Sequence, residues 1–401
     1  MADQYDSQYA LASSSPSVGP PRIKSIFLHP VKSCGPVEVD RARVTKTGLL
    51  YDRCMAIATR TVGSKDPAAA QWRFISQRTK PCMSQIRTEL WLPHRSSDPS
   101  DPLVQSEGCL VLSFENPDRT SWTDQLETVI YARDFAARPR VSFIVPLNVP
   151  NGELTAFGIH SRQAKGVDLG QIPSIAAALP SLKKFLGLSA NQSLTIFKCT
   201  PESSTRTEKN LAPLEHIGSP AEHGYTDQQP ININSLSSVH EVSSHLPKEN
   251  QPLDALRFRA NIWIANSIAY EEETWKRVRV RPRATTTTRP SDAAPVFSIV
   301  CRTSRCTMPN VNLGTGAFDA DLPAEGRKKG KPQPSTTLVQ QRTVETGNPS
   351  ALGYLGMHCV PEDKSLKVAE ESDWGPYIEV GDELEVLETG EHLYGSTGMD
   401  Y

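Results

Sequence analysis

The chain has 401 residues, and its 43 Lys and Arg nearly balance its 45 Asp and Glu, which leaves a net charge of −2. This balance excludes a protein that binds nucleic acid mainly by neutralising phosphates. Apolar residues make up 38% of the chain, so it is not wholly disordered, and its 32 prolines exclude a coiled coil or an all-helical repeat.

Residues 1–21 carry no basic start followed by an apolar stretch, so they are not typical of a secretory signal, and we predict that they are disordered. No apolar run reaches the roughly 18 residues that a membrane span needs. The eight cysteines are scattered and form no CxxC pair, which is typical of reduced thiols. Together these features predict a cytoplasmic protein without a membrane span.

Short stretches of alternating apolar and polar residues predict strands along most of the chain. In chain order, we expect strands within 22–60, a polar loop over 94–108, strands at 110–112 and 141–145, a helix over 173–188 that is kinked or broken at Pro180, a polar linker over 200–230, a short helix over 235–246, strands over 258–270 and 275–280, and a strand–turn–strand over 378–386.

The expected fold class is α+β, dominated by antiparallel β-structure in barrel-like modules. The expected organisation is a disordered N-terminus (1–21), an N-terminal β-barrel-like module (22–150), a connecting helical and loop region (151–230), a second β-barrel domain (231–390) with flexible insertions at 282–295 and 317–336, and a C-terminal tail (391–401).

Two early segments could bind an anion. Lys32 and Ser33 follow a predicted strand, and an ammonium, a hydroxyl and exposed backbone N–H groups can cradle an oxyanion. The alternative is an ordinary polar hairpin turn. Arg53 follows Asp52, so its guanidinium could bind phosphate in a bidentate manner or simply form a structural ion pair. The sequence leaves both alternatives open.

A third segment, residues 257–264, alternates polar and apolar residues. On a strand, this alternation places Arg257, Arg259 and Asn261 on one face. Inside a β module such a face needs anionic or hydrogen-bonding partners, whereas at the surface it needs only solvent.

The fourth segment contains Ser304, Arg305 and Cys306. A cysteine beside an arginine has its thiolate favoured electrostatically, and a thiolate can act as a nucleophile or as a ligand of a soft metal centre. The alternative is a buried, inert cysteine. The common signatures for nucleotide binding, serine hydrolysis and zinc proteolysis do not occur in the chain.

These four segments occur in the same order in one family. The chain resembles MOSC-domain proteins, named after the C-terminal domain of molybdenum cofactor sulfurase, and in particular the branch containing the mitochondrial amidoxime-reducing component. The matching segments are HPVKSC (29–34), LYDR (50–53), SQRTKP (76–81), FRAN (258–261), YEEETW (270–275), SRC (304–306), GTG (314–316) and VGD (380–382).

The resemblance implies a molybdenum cofactor, with the Cys306 thiolate as protein ligand of the metal and Arg305 beside it as a second catalytic residue. It further implies reduction of N-hydroxylated small molecules, with electrons from a b-type haem protein and an NADH-dependent flavoprotein reductase. Pyridoxal phosphate binding is also associated with the family. The residues implied to bind the cofactor are Lys32, Ser33, Arg53, Asn234, Ser238, Arg259, Asn261 and Ser304.

One position departs from the family pattern. Family members often carry an Asp-Pro pair where this chain has Asn312-Leu313, so a carboxylate expected near the metal is missing. Two alternatives to a reductase therefore remain. Cys306 could carry a persulfide for transfer to another molecule, or the chain could bind the cofactor without catalysis.

Overall fold

The computed structural model describes the whole chain apart from residues 10–18, 64, 119–120, 150–151, 161, 284–293, 324–325, 346–347, 349–351, 373–374 and 396–401. The strands of the described part are β1 (Arg22–Leu28), β2 (Val37–Val39), β3 (Arg41–Thr45), β4 (Gly48–Leu49), β5 (Met55–Thr61), β6 (Arg73–Phe74), β7 (Arg87–Trp91), β8 (Cys109–Glu115), β9 (Arg140–Pro146), β10 (Leu154–Ile159), β11 (Arg162–Asp168), β12 (Gln192–Lys198), β13 (Thr205–Arg206), β14 (Glu222–His223), β15 (Ile231–Ser235), β16 (Ile262–Ala265), β17 (Trp275–Arg281), β18 (Val296–Arg305), β19 (Val311–Asn312), β20 (Ala317–Phe318), β21 (Gly353–Pro361), β22 (Tyr377–Glu379) and β23 (Glu383–Thr389).

Helices are fewer and mostly short. The α-helices of the described residues are α1 (Pro67–Ala70), α2 (Pro102–Gln105), α3 (Trp122–Ala132), α4 (Pro173–Phe185), α5 (Leu214–Ile217), α6 (Leu236–Ser244), α7 (Ser335–Gln341) and α8 (Asp363–Glu370). The expected α+β class with predominantly antiparallel strands is confirmed. No helix in the described part of the chain is long and apolar enough to cross a membrane.

The largest sheet contains eight of the described strands in the order β16-β15-β21-β18-β17-β23-β1-β2, and β16 also pairs with β1, which curls the sheet round. Only β15 and β16 run parallel among these pairs. Apolar side chains such as Ile26, Ile264 and Val278 fill its interior. Since β1 pairs with β16 and β23, the start of the expected N-terminal module belongs to the C-terminal sheet.

A second β unit is a closed barrel with the strand order β10-β11-β12-β5-β6. Three of its strands lie within 154–198, so the expectation of a helical and loop connection over 151–230 is wrong. Helix α4 begins at Pro173, where the missing N–H costs no helical hydrogen bond, and it runs through Pro180 to Phe185 without a break. Its Ile175 and Leu182 pack into the core that the barrel shares with the sheet β7-β8-β9.

Residues 1–9 differ from the expected disordered N-terminus. Tyr9 is buried, and the Tyr5 hydroxyl donates to the backbone oxygen of Leu253 over 2.6 Å. Residues 10–18 lie outside the described part. The insertion expected over 317–336 is ordered where described, because Ala320 forms a bridge with Pro332. Most of the insertion expected over 282–295 lies outside the described residues.

Candidate functional site

An open cleft of about 850 Å³, including its mouth, lies between the barrel and the large sheet. It brings together segments that are far apart in the chain. Eight of the ten residues that the resemblance assigns to the site line it: Lys32, Ser33, Arg53, Arg259, Asn261, Ser304, Arg305 and Cys306.

The segment after β1 places Lys32 and Ser33 in the cleft wall. The Lys32 backbone N–H donates to Met55 O over 2.8 Å, which ties the segment to the first barrel strand. Ser33 has a positive φ of 68°, an uncommon conformation for a residue with a side chain. The buried Lys32 ammonium pairs with the carboxylate of Asp227, and the buried Ser33 hydroxyl has no hydrogen-bond partner among the described residues.

Arg53 links the two β units. It precedes β5 with a φ of 45°, and its Nη1 donates to Asp52 Oδ2 over 2.6 Å and to Asn261 Oδ1 over 3.1 Å. Its Nη2 donates to the backbone oxygen of Arg259 over 2.8 Å. The structural ion pair with Asp52 and a place in the cleft wall therefore occur together.

The prediction that one strand carries Arg257, Arg259 and Asn261 is wrong. A 3₁₀ helix spans Ala255–Phe258, Arg259 ends it in the left-handed conformation at φ 54°, and β16 begins only at Ile262. The polar residues converge because of this turn rather than through the two-residue repeat of a strand.

Arg259, which is partly buried, and Asn261, which is buried, lie next to that turn. Arg259 Nη1 donates to Cys34 O over 2.7 Å, and its Nη2 is buried without a partner. Asn261 Oδ1 accepts from the backbone N–H of Asn232 over 3.1 Å, in addition to its bond from Arg53.

Arg305 lies at the end of β18 and faces inward. It donates to Leu355 O over 2.7 Å, to Phe258 O over 2.8 Å and to Asn232 Oδ1 over 3.2 Å. These bonds hold its guanidinium at the cleft floor, and its expected catalytic role stays a prediction.

Cys306 is exposed at the cleft mouth, so the alternative of a buried cysteine is wrong for this residue. Its Sγ accepts from the backbone N–H of Met308 at 3.4 Å. An accessible sulfur at the rim of a cationic cleft can reach a bound metal or an incoming electrophile.

Asn234 and Ser238 do not line the cleft. Ser238 Oγ accepts from Tyr270 N at 2.8 Å and donates to Glu272 Oε1 at 2.8 Å, so it belongs to the buried network at the start of α6. Asn234 is fully buried, and neither side-chain amide atom has a described partner. The expected role of Ser238 at the cofactor is therefore not supported by its position.

The cleft is rich in cationic side chains, of which Lys32 is buried and the arginines are partly buried. Burial and the charge of Arg53 lower the pKa of Arg259 to about 10. Burial lowers the pKa of Arg305 to about 9. Burial also lowers the pKa of Lys32, although Asp227 opposes this effect. An anion bound among these groups would offset their desolvation and mutual repulsion.

Several residues of the cleft were missed by the sequence reasoning, and three of them are polar or titratable groups of note. Asp227 lies in the stretch that was taken for a linker, Asn232 holds both Arg305 and Thr303, and His358 comes from β21. Burial, followed by the charge of Arg305, lowers the pKa of His358 to about 3, so its imidazole is neutral at physiological pH. Two asparagines on a buried strand, Asn232 and Asn234, are unusual, and this pattern could have identified Asn232 from the sequence.

Both ends of the Asn312 side-chain amide form hydrogen bonds. Its Oδ1 accepts from Gly314 N over 3.0 Å, and its Nδ2 donates to Asp319 Oδ2 over 3.2 Å. Asp319 in turn pairs with Arg257 at the cleft, at 2.7 Å. A carboxylate at position 312 would be repelled by Asp319. The acid expected at 312 from the family pattern is therefore absent, but the carboxylate of Asp319 lies beside this position.

The residues present fit a ligand with a phosphate group and a metal that prefers sulfur. Unpartnered polar atoms of Ser33 and Arg259 belong to residues of the cleft wall, five Lys and Arg side chains surround the same space, and a free thiol stands at its mouth. A molybdenum-bearing pterin phosphate has both features, so the donor set matches the cofactor that the resemblance implies.

Comparisons with known proteins agree with this arrangement. Residues 220–385 match the model of the MOSC domain, and residues 20–126 match that of the MOSC N-terminal beta barrel domain. A mitochondrial amidoxime reducing component 2 from Rattus norvegicus is 21% identical over 310 residues, covering 76% of this chain and 71% of that protein.

Two molybdenum cofactor sulfurases are also similar. The one from Oryza sativa subsp. japonica is 22% identical over 334 residues, covering 80% of this chain, and the one from Neosartorya fischeri is 23% identical over 380 residues, covering 84%. The matches span 32% and 37% of the sulfurases, so the chain corresponds to about a third of their length. The two matched domains, in this order, show that the chain belongs to the MOSC-domain family.

Proposed function

We propose that the chain binds the molybdenum cofactor in this cleft and reduces N-hydroxylated small molecules of the amidoxime or hydroxylamine type. The observation that carries the proposal is the convergence of Lys32, Ser33, Arg53 and Arg259 on the same open space as the Cys306 thiol. The similarity to an amidoxime reducing component supports the reaction class.

Each side chain has a distinct task in this proposal. Lys32, Ser33, Arg53 and Arg259 hold the phosphate, since ammonium, hydroxyl and guanidinium groups are strong donors to oxyanions. Cys306 supplies the protein thiolate to the metal, and the N–H of Met308 stabilises that sulfur. When bound, the cofactor supplies a metal centre that exchanges two electrons.

Cleavage of the N–O bond consumes two electrons and two protons and releases water and the reduced nitrogen compound. The neutral imidazole of His358 lines the cleft, and its buried Nδ1 has no partner within the described structure, so this atom can accept a hydrogen bond from a ligand. Because its pKa is about 3, the imidazole does not store a proton, and the two protons would come from solvent. Electrons would come from the proposed b-type haem protein and its NADH-dependent flavoprotein reductase.

Turnover of benzamidoxime tests the reductase directly. The protein is purified from a host that makes the cofactor, and benzamidine formation is followed with a chemical reductant in place of the partner proteins. We expect turnover that Cys306→Ser abolishes and Cys199→Ser preserves, since Cys199 does not line the cleft. Bound molybdenum without turnover would contradict the reductase and leave cofactor binding alone.

A persulfide carrier is the second candidate, because Cys306 is exposed and the two sulfurases are among the similar proteins. Incubation with a cysteine desulfurase and ³⁵S-labelled cysteine would then place reducible label on Cys306. Absence of label in the wild type, with label on a known acceptor, would exclude this function.

A further inference from the structure

A second cleft opens beside the first, at one end of the five-stranded barrel. It is formed by β6 and the turn between β10 and β11, and it contains about 1050 Å³ including its mouth. Its walls carry Trp72, Arg73, Phe74, Arg78, His160 and Arg162. None of these residues has a role in the function proposed above.

The second cleft is cationic. Three arginines line it, and no described Asp or Glu does. Arg162 donates only to neutral oxygens among its described hydrogen bonds, those of Thr205, Gly224 and Thr226. A concave surface with charges of one sign concentrates ligands of the opposite sign, and guanidinium groups match the geometry of phosphate oxygens.

Two aromatic side chains also line the cleft, with Arg60 4.6 Å from the ring centre of Trp72 and His160 edge-on to Phe74. Trp72 directly precedes β6, which consists of Arg73 and Phe74, and all three residues line the second cleft. Flat rings beside arginines are the combination that binds nucleobases and their phosphates. The lining therefore fits a phosphorylated ligand that carries a planar ring better than it fits a simple inorganic anion.

The two clefts are separated by one layer of side chains. The Lys32 ammonium of the first cleft lies 5.3 Å from the centre of the Phe74 ring of the second. Asp227 of the first cleft lies 3.2 Å from Nε2 of His160. Because Lys32 is a proposed phosphate ligand, a phosphate bound there would be next to the second cleft.

We propose that the second cleft binds the phosphate group of a nucleotide. The same chemistry has two sources: a nucleotide joined through a pyrophosphate to the cofactor of the first cleft, or a separate nucleotide. Either ligand would place its phosphate against Arg78 and Arg162 and its ring against Trp72.

Two measurements on the full chain separate these sources. The cofactor released from the purified protein is identified by mass spectrometry, with or without an attached nucleotide. Independently, the protein is titrated with ADP by calorimetry. Arg78→Gln is compared with Arg95→Gln, a matched removal of one charge at an exposed residue that lines neither cleft, and thermal unfolding verifies that both variants are folded.

ADP binding that Arg78→Gln weakens about tenfold or more while Arg95→Gln does not, or an attached nucleotide that Arg95→Gln retains and Arg78→Gln loses, would support the proposal and identify the source. A cofactor without a nucleotide, together with no ADP binding up to about 5 mM, would overturn it, and so would equal ADP binding by both variants. Molybdenum content reports separately on the first cleft, so a failure of the proposed function is distinguishable from a failure of this site.

Discussion

Arg53 Nη1 and Asn261 Oδ1 lie 3.1 Å apart and join the barrel to the large sheet at the floor of the cleft. Asn261 is buried, and its amide also accepts from the Asn232 backbone and donates to Phe27 O over 3.1 Å. One side chain thus connects three segments that the chain supplies from far apart.

We expect Asn261→Ala to destabilise the fold by about 3 kcal/mol, because it removes at once a hydrogen-bond partner of the Arg53 guanidinium, of the Asn232 N–H and of the Phe27 carbonyl. Urea unfolding measures the change. Asn191→Ala, at an exposed turn residue, is the control and should stay within about 0.5 kcal/mol. A loss below about 1 kcal/mol at Asn261 would mean that the network does not hold the two units together.

The cationic cleft predicts stabilisation by phosphate ions. An anion that binds only the folded state stabilises it by about 2.7 kcal/mol at 100 times its dissociation constant. Protein prepared without cofactor should therefore unfold at a higher temperature in phosphate than in chloride of equal ionic strength. Arg259→Gln should reduce the difference, because it removes an unpartnered buried donor of the cleft. Equal unfolding temperatures in both salts would contradict the anion site.

The burial of Glu272 leads us to predict that the free energy of unfolding depends on pH, whether or not the cofactor is bound. Glu272 is fully buried, its Oε2 has no described partner, and burial followed by the charge of Glu273 raises its pKa from 4.5 to about 7. A raised pKa in the folded state contributes stability that is present below pH 4.5 and lost as the pH rises to 7.

We therefore expect wild-type protein to lose on the order of 2 kcal/mol between pH 5 and pH 8 that Glu272→Gln does not lose. The glutamine keeps an acceptor for Ser238 without a titrating proton. The measurement is urea unfolding at both pH values, with Glu127→Gln on the exposed helix α3 as control. A difference between wild type and Glu272→Gln that does not change with pH would exclude a protonated Glu272.

The sequence predicted local structure better than it predicted long-range contacts. The pattern of apolar residues correctly indicated the strands at Arg22–Leu28 and Cys109–Glu115. Burial alternates along most of Cys109–Glu115, whereas the last four residues of Arg22–Leu28 are buried on both faces. The alternation of polar and apolar residues was misleading at Arg257–Asn261, where tertiary contacts favour a left-handed turn. The barrel strands Leu154–Ile159 and Arg162–Asp168 were missed because glycine and charged residues interrupt their pattern.

The site was predictable only in part for a similar reason. Lys32, Arg53 and Cys306 were candidates from their local chemistry, but only the family resemblance assigned them to one site, since nothing local in the sequence shows that they share a cleft. Asp227 was missed because its partner, Lys32, is 195 residues away. Ser238 was assigned to the cleft as a neighbour of Asn234, but the helical turn that follows β15 directs it to Glu272.

The central claim, that Cys306 binds molybdenum in the cationic cleft, is tested most directly by the metal content of the purified protein. Mass spectrometry of protein from a host that makes the cofactor should find close to one molybdenum per wild-type chain and per Cys199→Ser chain. Cys306→Ser should retain much less metal without loss of stability, because the residue is exposed. Molybdenum near background in the wild type, or equal amounts in wild type and Cys306→Ser, would contradict the account.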